Sequence, residues 1–122
     1  MILWINDQIH KRQPDYICQM QIHIISVIPE LLESPLGHSI MKRARDKGLL
    51  QVELHHLRKW AVNEYGQVDD YQFGGGAGMV MMPEPLANAI EELSAVHKFD
   101  EVIYLTPDGE RLNQRIANNL SM

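Results

Sequence analysis

Apolar and polar positions follow two rhythms along this chain, and the rhythm sets the reading of each segment. Ile22–Ile28 is almost continuously apolar and rich in β-branched residues, as expected of a strand covered on both faces in a parallel sheet. Pro29 can donate no ladder hydrogen bond and ends it. Leu36–Lys47 follows as a helix, with Ile40 and Ala44 on one face, basic side chains on the other, and Gly48 where a C-terminal cap is wanted. Leu50–Leu57 alternates, with Leu50, Val52 and Leu54 set against Gln51, Glu53 and His55, which predicts a strand with one wetter face. Arg58–Met82 has little periodicity, and irregular runs beyond ~12–15 residues in compact domains are usually functional or disordered. Pro83 and Pro85 introduce a helix over Leu86–Val96, with Leu86, Ile90 and Leu93 spaced for one face. Val102–Leu105 is a second wholly apolar strand. Thr106-Pro107-Asp108-Gly109 has the residues of a type I turn, and Leu112, Ile116 and Leu120 recur at every fourth position in a last amphipathic helix.

The order strand, helix, strand, long loop, helix, strand, helix predicts an α/β domain with a parallel sheet. Ligands in open α/β sheets bind beyond the carboxyl ends of the strands. Two segments reach that edge, the loop within Arg58–Met82 and the turn Thr106–Gly109. Residues 1–19 fit neither rhythm. Met1–Ile5 is apolar, but Asn6-Asp7-Gln8 and Lys11-Arg12-Gln13-Pro14-Asp15 break any period. They read as a poorly ordered N-terminal extension that adds little stability, with a short edge strand as the alternative. Residues 20–122 then form the domain.

At 122 residues the chain is one domain, and 45% apolar with 22% charged residues is ordinary for a globular protein. Eleven basic against sixteen acidic residues give a net charge of −5. That argues against broad nonspecific nucleic-acid binding, while leaving Lys42, Arg43, Arg45 and Lys47 as a local basic face. Cys18 stands alone, so no disulfide framework or Cys-rich metal centre forms within one chain, and a reducing cytoplasm suits it. No run approaches the ~18 apolar residues of a membrane span, and the N-terminus lacks the basic start and apolar core of a signal peptide. A cytoplasmic protein without membrane contact is expected. His55 and His56 are adjacent and would point to opposite faces of a strand. No other histidine stands at ligand spacing, so no metal site is expected.

The chemistry concentrates in Val68-Asp69-Asp70-Tyr71-Gln72-Phe73-Gly74-Gly75-Gly76-Ala77-Gly78-Met79-Val80-Met81-Met82, where four of the eight glycines fall within five positions. Glycine reaches positive φ without steric cost and lets backbone approach a ligand. Apolar anchors on both sides set this loop apart from a free linker, and the methionines read as gap-filling core. The dinucleotide fingerprint would need glycine where Met79 stands, and the Walker loop would need a glycine–lysine pair that is missing.

Three further segments occur with this loop, in order: Ile25-Ser26-Val27-Ile28-Pro29-Glu30, Arg43-Ala44 with Gly48-Leu49-Leu50, and Val102-Ile103-Tyr104-Leu105-Thr106-Pro107-Asp108-Gly109. Together, from Met20 to the C-terminus, they resemble the bacterial TrmD-type tRNA (guanine-N1)-methyltransferases of the knotted SPOUT class. Family members usually show Arg-Pro-Tyr where this chain has Tyr71-Gln72-Phe73, and proline where it has Ala77. The resemblance implies S-adenosylmethionine as cofactor, with Tyr104, Leu105, Thr106 and Pro107 as one wall of its pocket. It implies the anticodon region of tRNA as substrate, with Asp69, Gly74 and Gly78 near the target guanine, and a homodimer. The family's knot, its catalytic aspartate and its tRNA-gripping domain lie beyond the segment resembled. The chain therefore looks like the N-terminal half of a SPOUT methyltransferase domain, with no catalytic residue of its own and no activity alone. Two other classes stay open: a complete small α/β binding or dimerisation module without catalysis, and an interaction fragment that pairs with a separate C-terminal half or another copy.

Overall fold

Residues 2–8 and 19–120 are described by a computed structural model, and the first of them form a strand that the hydropathy pattern does not announce. β1 (Ile2–Gln8) lies antiparallel between β2 (Gln19–Ser26) and β6 (Glu101–Tyr104), with Ile2 opposite both Ile25 and Tyr104. The register explains its composition. Ile2–Ile5 has a neighbour on each side, whereas Asn6–Gln8 runs past the end of β6 and pairs only with β2. Where the sequence pattern reads an extension, the structure has an interior strand, not an edge one; residues 9–18 lie outside the described residues.

β3 (Leu50–His56) joins the other side of β2 in parallel, from Met20 opposite Leu50 to Ser26 opposite His56. The strand order is β3-β2-β1-β6. β2 and β6 are both antiparallel to β1 and so run in one direction, which makes the sheet mixed. The expected parallel relation holds for β2 with β3, and for β2 with β6 across the intruding strand.

Two short helices, α1 (Glu30–Leu36) and α2 (Ser39–Asp46), replace the single helix expected over Leu36–Lys47. The chain breaks at Gly37, whose N–H donates to the carbonyls of Glu33 and Ser34 at 2.9 and 3.1 Å. A Cβ at Gly37 would lie 2.9 Å from the Glu33 carbonyl oxygen, so only glycine closes this turn without a shift. The stop of α2 is the expected one. Gly48 has φ +69°, its N–H reaches the Arg45 carbonyl at 2.9 Å, and the Leu49 N–H reaches that of Ala44 at 3.0 Å. This is a Schellman closure. The Leu49 carbonyl then accepts from Met20 N–H at 3.0 Å, so the helix stop sets the register in which β3 meets β2.

After a 3-10 turn over Leu57–Trp60, a short hairpin pairs β4 (Asp69–Tyr71) with β5 (Met79–Met81). α3 (Pro83–Val96) starts three positions before the expected Leu86, with proline in its first turn, where an N–H would lack a partner anyway. It buries Pro85, Ala89 and Leu93, each four positions apart, and Leu86 and Ile90 flank that stripe. Ile2, Ile25, Leu57, Val68, Ala89 and Leu93 form the core, joining β1, β2 and α3. The Trp60 indole N–H donates to Glu92 at 2.7 Å and ties the 3-10 turn to α3. α4 (Gln114–Leu120) is capped by Asn113, whose Oδ1 accepts from Ile116 N–H at 3.0 Å, and it buries no residue.

Ile2 is 3% exposed, so β1 contributes core as well as backbone pairing. Ile2→Ala should lower the unfolding free energy by about 2–4 kcal/mol, the scale of truncating a buried isoleucine. A chain begun at Met20 should lose several kcal/mol in urea titrations. Midpoints unchanged by both alterations would show that β1 carries no stability.

Candidate functional site

The carboxyl ends of β2, β3 and β6 lie along one edge of the sheet, together with the start of β1. A cavity of about 300 Å³ opens there, with Ile2, Ile25, Ile28, Leu57, Met81 and Tyr104 among its lining. Among the described residues its only polar side chains are Ser26 and Tyr104, and no charged side chain lines it. The Ser26 hydroxyl already accepts from Ile28 N–H at 3.2 Å. Of the four positions expected to wall a cofactor pocket, Tyr104 alone reaches this cavity. Leu105 is half exposed just beyond it. Thr106 and Pro107 continue into the expected turn, closed by Gly109 N–H donating to the Thr106 carbonyl at 3.1 Å.

Arg58–Met82 is more ordered than its lack of period suggests, because its order comes from hydrogen bonds instead of an apolar repeat. The Asn63 Oδ1 accepts from the N–H groups of Tyr65 and Gln67, both at 3.2 Å. Arg58 Nη1 donates to the Gly66 carbonyl at 2.7 Å. The hairpin is anchored at its base by Val68, 1% exposed, whose carbonyl accepts from Met82 N–H at 2.8 Å. Met81 packs against the core, as expected of a gap-filling methionine, while Met79 is half exposed. At the tip, Gly74, Gly75, Gly76 and Gly78 have φ of +101°, +81°, +134° and +108°, a region that side-chain-bearing residues rarely adopt. Across the tip, Gln72 Nε2 donates to the Ala77 carbonyl at 3.2 Å. Two of the positions that depart from the familiar loop pattern, Gln72 and Ala77, thus touch each other.

Asp69 is half-buried at the hairpin base, directly opposite Met81, while Gly74 and Gly78 stand exposed at the tip. None of the three lines the cavity. The hairpin meets it through Met81, one β-bridge from Asp69. The Asp70 carboxylate accepts from Tyr71 N–H at 2.7 Å and so braces the strand.

Sequence reasoning missed a polar cluster on the sheet. His23, 1% exposed, stands opposite Glu53 in the β2–β3 register, and His55 lies two positions further on the same face. His23 Nδ1 is 3.0 Å from His55 Nε2 and 3.6 Å from a Glu53 carboxylate oxygen. Burial lowers the pKa of both imidazoles, with Glu53 opposing it through its charge. His56, on the other face, accepts the Arg58 N–H at 3.3 Å and caps the 3-10 turn. The cluster is invisible along the chain because its members sit 30 and 32 positions apart; only the strand register could have found it.

Comparison with known proteins points to one family. A family profile described as tRNA (Guanine-1)-methyltransferase TrmD matches residues 20–122. The tRNA (guanine-N(1)-)-methyltransferases of Flavobacterium johnsoniae and Bacteroides thetaiotaomicron are 57% and 52% identical over 103 residues, covering 84% of this chain and 46% of theirs. The crystal structure of a tRNA (m1G37) methyltransferase from Aquifex aeolicus matches with a TM-score of 0.68 at 32% identity, over 81% of this chain and 44% of that one. The chain spans about half the length of the curated relatives it matches.

A hairpin anchored at its base and open at its tip should show that contrast in amide exchange. Gly74, Gly76 and Gly78 should exchange at close to free-chain rates, and Met82 and Ile22–Ser26 slowly. Uniform protection through the tip would show a closed turn instead.

Proposed function

The chain belongs to the tRNA (Guanine-1)-methyltransferase TrmD family, and from that premise we propose that it forms part of an S-adenosylmethionine-dependent enzyme methylating N1 of the guanosine immediately 3′ of the tRNA anticodon. One observation supports this most. The end of β6 and the base of the glycine hairpin meet at a single apolar cavity, through Tyr104 and Met81.

At about 300 Å³ that cavity stands at the lower limit of ligand pockets, which run to about 300–1,000 Å³. Its apolar lining fits an adenine ring. It offers no charged partner for the methionine end of the cofactor, so the residues present fit the apolar part alone. Tyr104 would flank that part, and Leu105, Thr106 and Pro107 would extend the wall and present backbone donors and acceptors to its edge. When bound, S-adenosylmethionine supplies an electrophilic methyl group on its sulfonium.

On the substrate side, the Asp69 carboxylate offers acceptor oxygens suited to the paired N1–H and N2–H donors of guanine. Gly74 and Gly78 leave the space of a missing side chain for a flat base. None of these groups is assigned the removal of the N1 proton, which methylation at that nitrogen requires. That base, and the rest of the pocket, are assigned to residues outside these 122 positions. A partner subunit fits the exposed surface. β6 ends the sheet among the described residues, and Val102 and Tyr104 on it and Leu105 just after it are each about half exposed, which is the kind of apolar edge that pairs with another chain. Lys42 is held by Asp46 at 2.9 Å, leaving Arg43, Arg45 and Lys47 exposed on and after α2 to meet RNA phosphates. Among the described residues no helix is long and apolar enough to cross a membrane.

Calorimetric titration of S-adenosylmethionine, beside a labelled-methyl assay on an anticodon stem-loop, tests this reading. The isolated chain should bind the cofactor weakly and give no turnover. Adding the remaining half of the Flavobacterium relative should restore methylation, and Tyr104→Ala should then reduce it by roughly tenfold or more, about 1.4 kcal/mol of transition-state binding. Micromolar binding or turnover by the 122 residues alone would refute the shared-pocket reading.

A further inference from the structure

We propose that His23, Glu53 and His55 form a binding site for a divalent transition metal of the zinc class, independent of the methyl-transfer reading. The parallel register of β2 and β3 sets His23 against Glu53 and brings His55 to the same face. The ligating atoms of the three residues all lie within 4.8 Å of one another. Tetrahedral coordination with bonds of about 2.0–2.2 Å places ligand atoms about 3.3–3.6 Å apart. The observed 3.0 Å between the imidazoles and 3.6 Å from His23 to Glu53 bracket that separation. The third pair, His55 to Glu53, lies within 4.8 Å and is closed by side-chain rotation.

The donor set selects the ion. Two imidazole nitrogens and one carboxylate match zinc and its first-row neighbours, whereas magnesium and calcium favour all-oxygen shells. Burial holds both imidazoles toward the neutral form that can ligate. In the metal-free arrangement one imidazole N–H donates to the other ring, and a metal would take the place of that hydrogen as the ligating tautomer shifts. Glu53 supplies the one formal negative charge; Lys59 lies near enough to His55 to oppose a cation. Three protein ligands leave a fourth position for water.

The surroundings are those of a built site. Phe99 packs edge-on to the His23 ring at 5.2 Å, and Trp60 lies 6.3 Å from His55 on the other flank. These neighbours fix the rings, while the 41% exposed Glu53 side chain gives an ion its route from solvent. A bound metal would clamp β2 to β3, close to His97 at the end of α3, whose ring centroid is 4.4 Å from that of His23.

Untagged chain stripped with EDTA and dialysed is titrated with Zn²⁺ by calorimetry and with Co²⁺ by visible absorption. One equivalent should bind per chain, cobalt should develop the intense bands of a tetrahedral site, and the melting temperature should rise with zinc concentration. Glu53→Gln and His55→Gln, checked for folding by circular dichroism, should each weaken binding tenfold or more, as should His23→Gln if it folds. His38→Gln and His56→Gln should leave it unchanged. Absence of saturable binding at one equivalent, binding indifferent to Glu53→Gln and His55→Gln, or loss of binding in either control variant would overturn the assignment.

Discussion

Each edge of a strand's backbone carries a row of N–H and C=O groups that must find partners, and in this sheet β1 meets that demand for two neighbours at once. β6 reaches the sheet only through β1. Ile2–Ile5 pairs with both sides, and Asp100 N–H donates to the Ile5 carbonyl at 3.0 Å just before β6 begins. A buried backbone group left unpaired costs about 1–3 kcal/mol, so several such losses outweigh the weak local propensity of Asn6-Asp7-Gln8 for strand. Ile2 adds its side chain to the core. The position of Tyr104 at the cavity follows from this pairing, since Ile2 is its cross-strand neighbour and both line the same space.

The glycine hairpin divides its work between base and tip. Val68 and Met81 hold the base on the core, and β4 and β5 are only three residues each. Positive φ at Gly74, Gly75, Gly76 and Gly78 then turns the chain through a path that would strain a substituted residue by about 1–2 kcal/mol at each position. At Gly74 and Gly75 a Cβ would meet nothing within 4 Å. Space is therefore not what demands glycine there; backbone conformation is. That leaves an open surface without side chains at the hairpin tip.

Local signals made much of this fold legible. β2 and β6 announced themselves by continuous apolar runs, the stop of α2 by Gly48, the start of α3 by its prolines, and the turn after β6 by Thr106–Gly109. Each depends on residues within a few positions of one another. Features set by pairing at a distance were not legible. The hairpin needs Asp69 opposite Met81, β1 needs two partners far along the chain, and the His23–Glu53–His55 cluster exists only once β2 and β3 are in register. The side of β3 read as the wetter face carries Glu53 and His55, and it turns toward His23 and Trp60. Polarity along one strand does not reveal what the next strand brings to meet it. The loop motif identified the family, but the cavity takes in Tyr104 without Leu105, Thr106 or Pro107.

β2 and β6 run in the same direction with one strand's width between them, and the family match begins at residue 20, after β1. Neighbouring strands lie about 4.8 Å apart, so β2 and β6 cannot hydrogen-bond each other across that gap. In any relative that keeps these two strands at this spacing, the intervening strand must come from outside the 103 aligned residues. Here Ile2–Gln8 fills the place, and it does so antiparallel. One sheet position holds one strand. A second polypeptide supplying its own strand between β2 and β6 would therefore have to displace β1, exchanging one set of backbone hydrogen bonds for another of similar strength. The balance would rest on side chains, and among the described ones of β1 it is Ile2 that is buried, paired with Ile25 and lining the cavity.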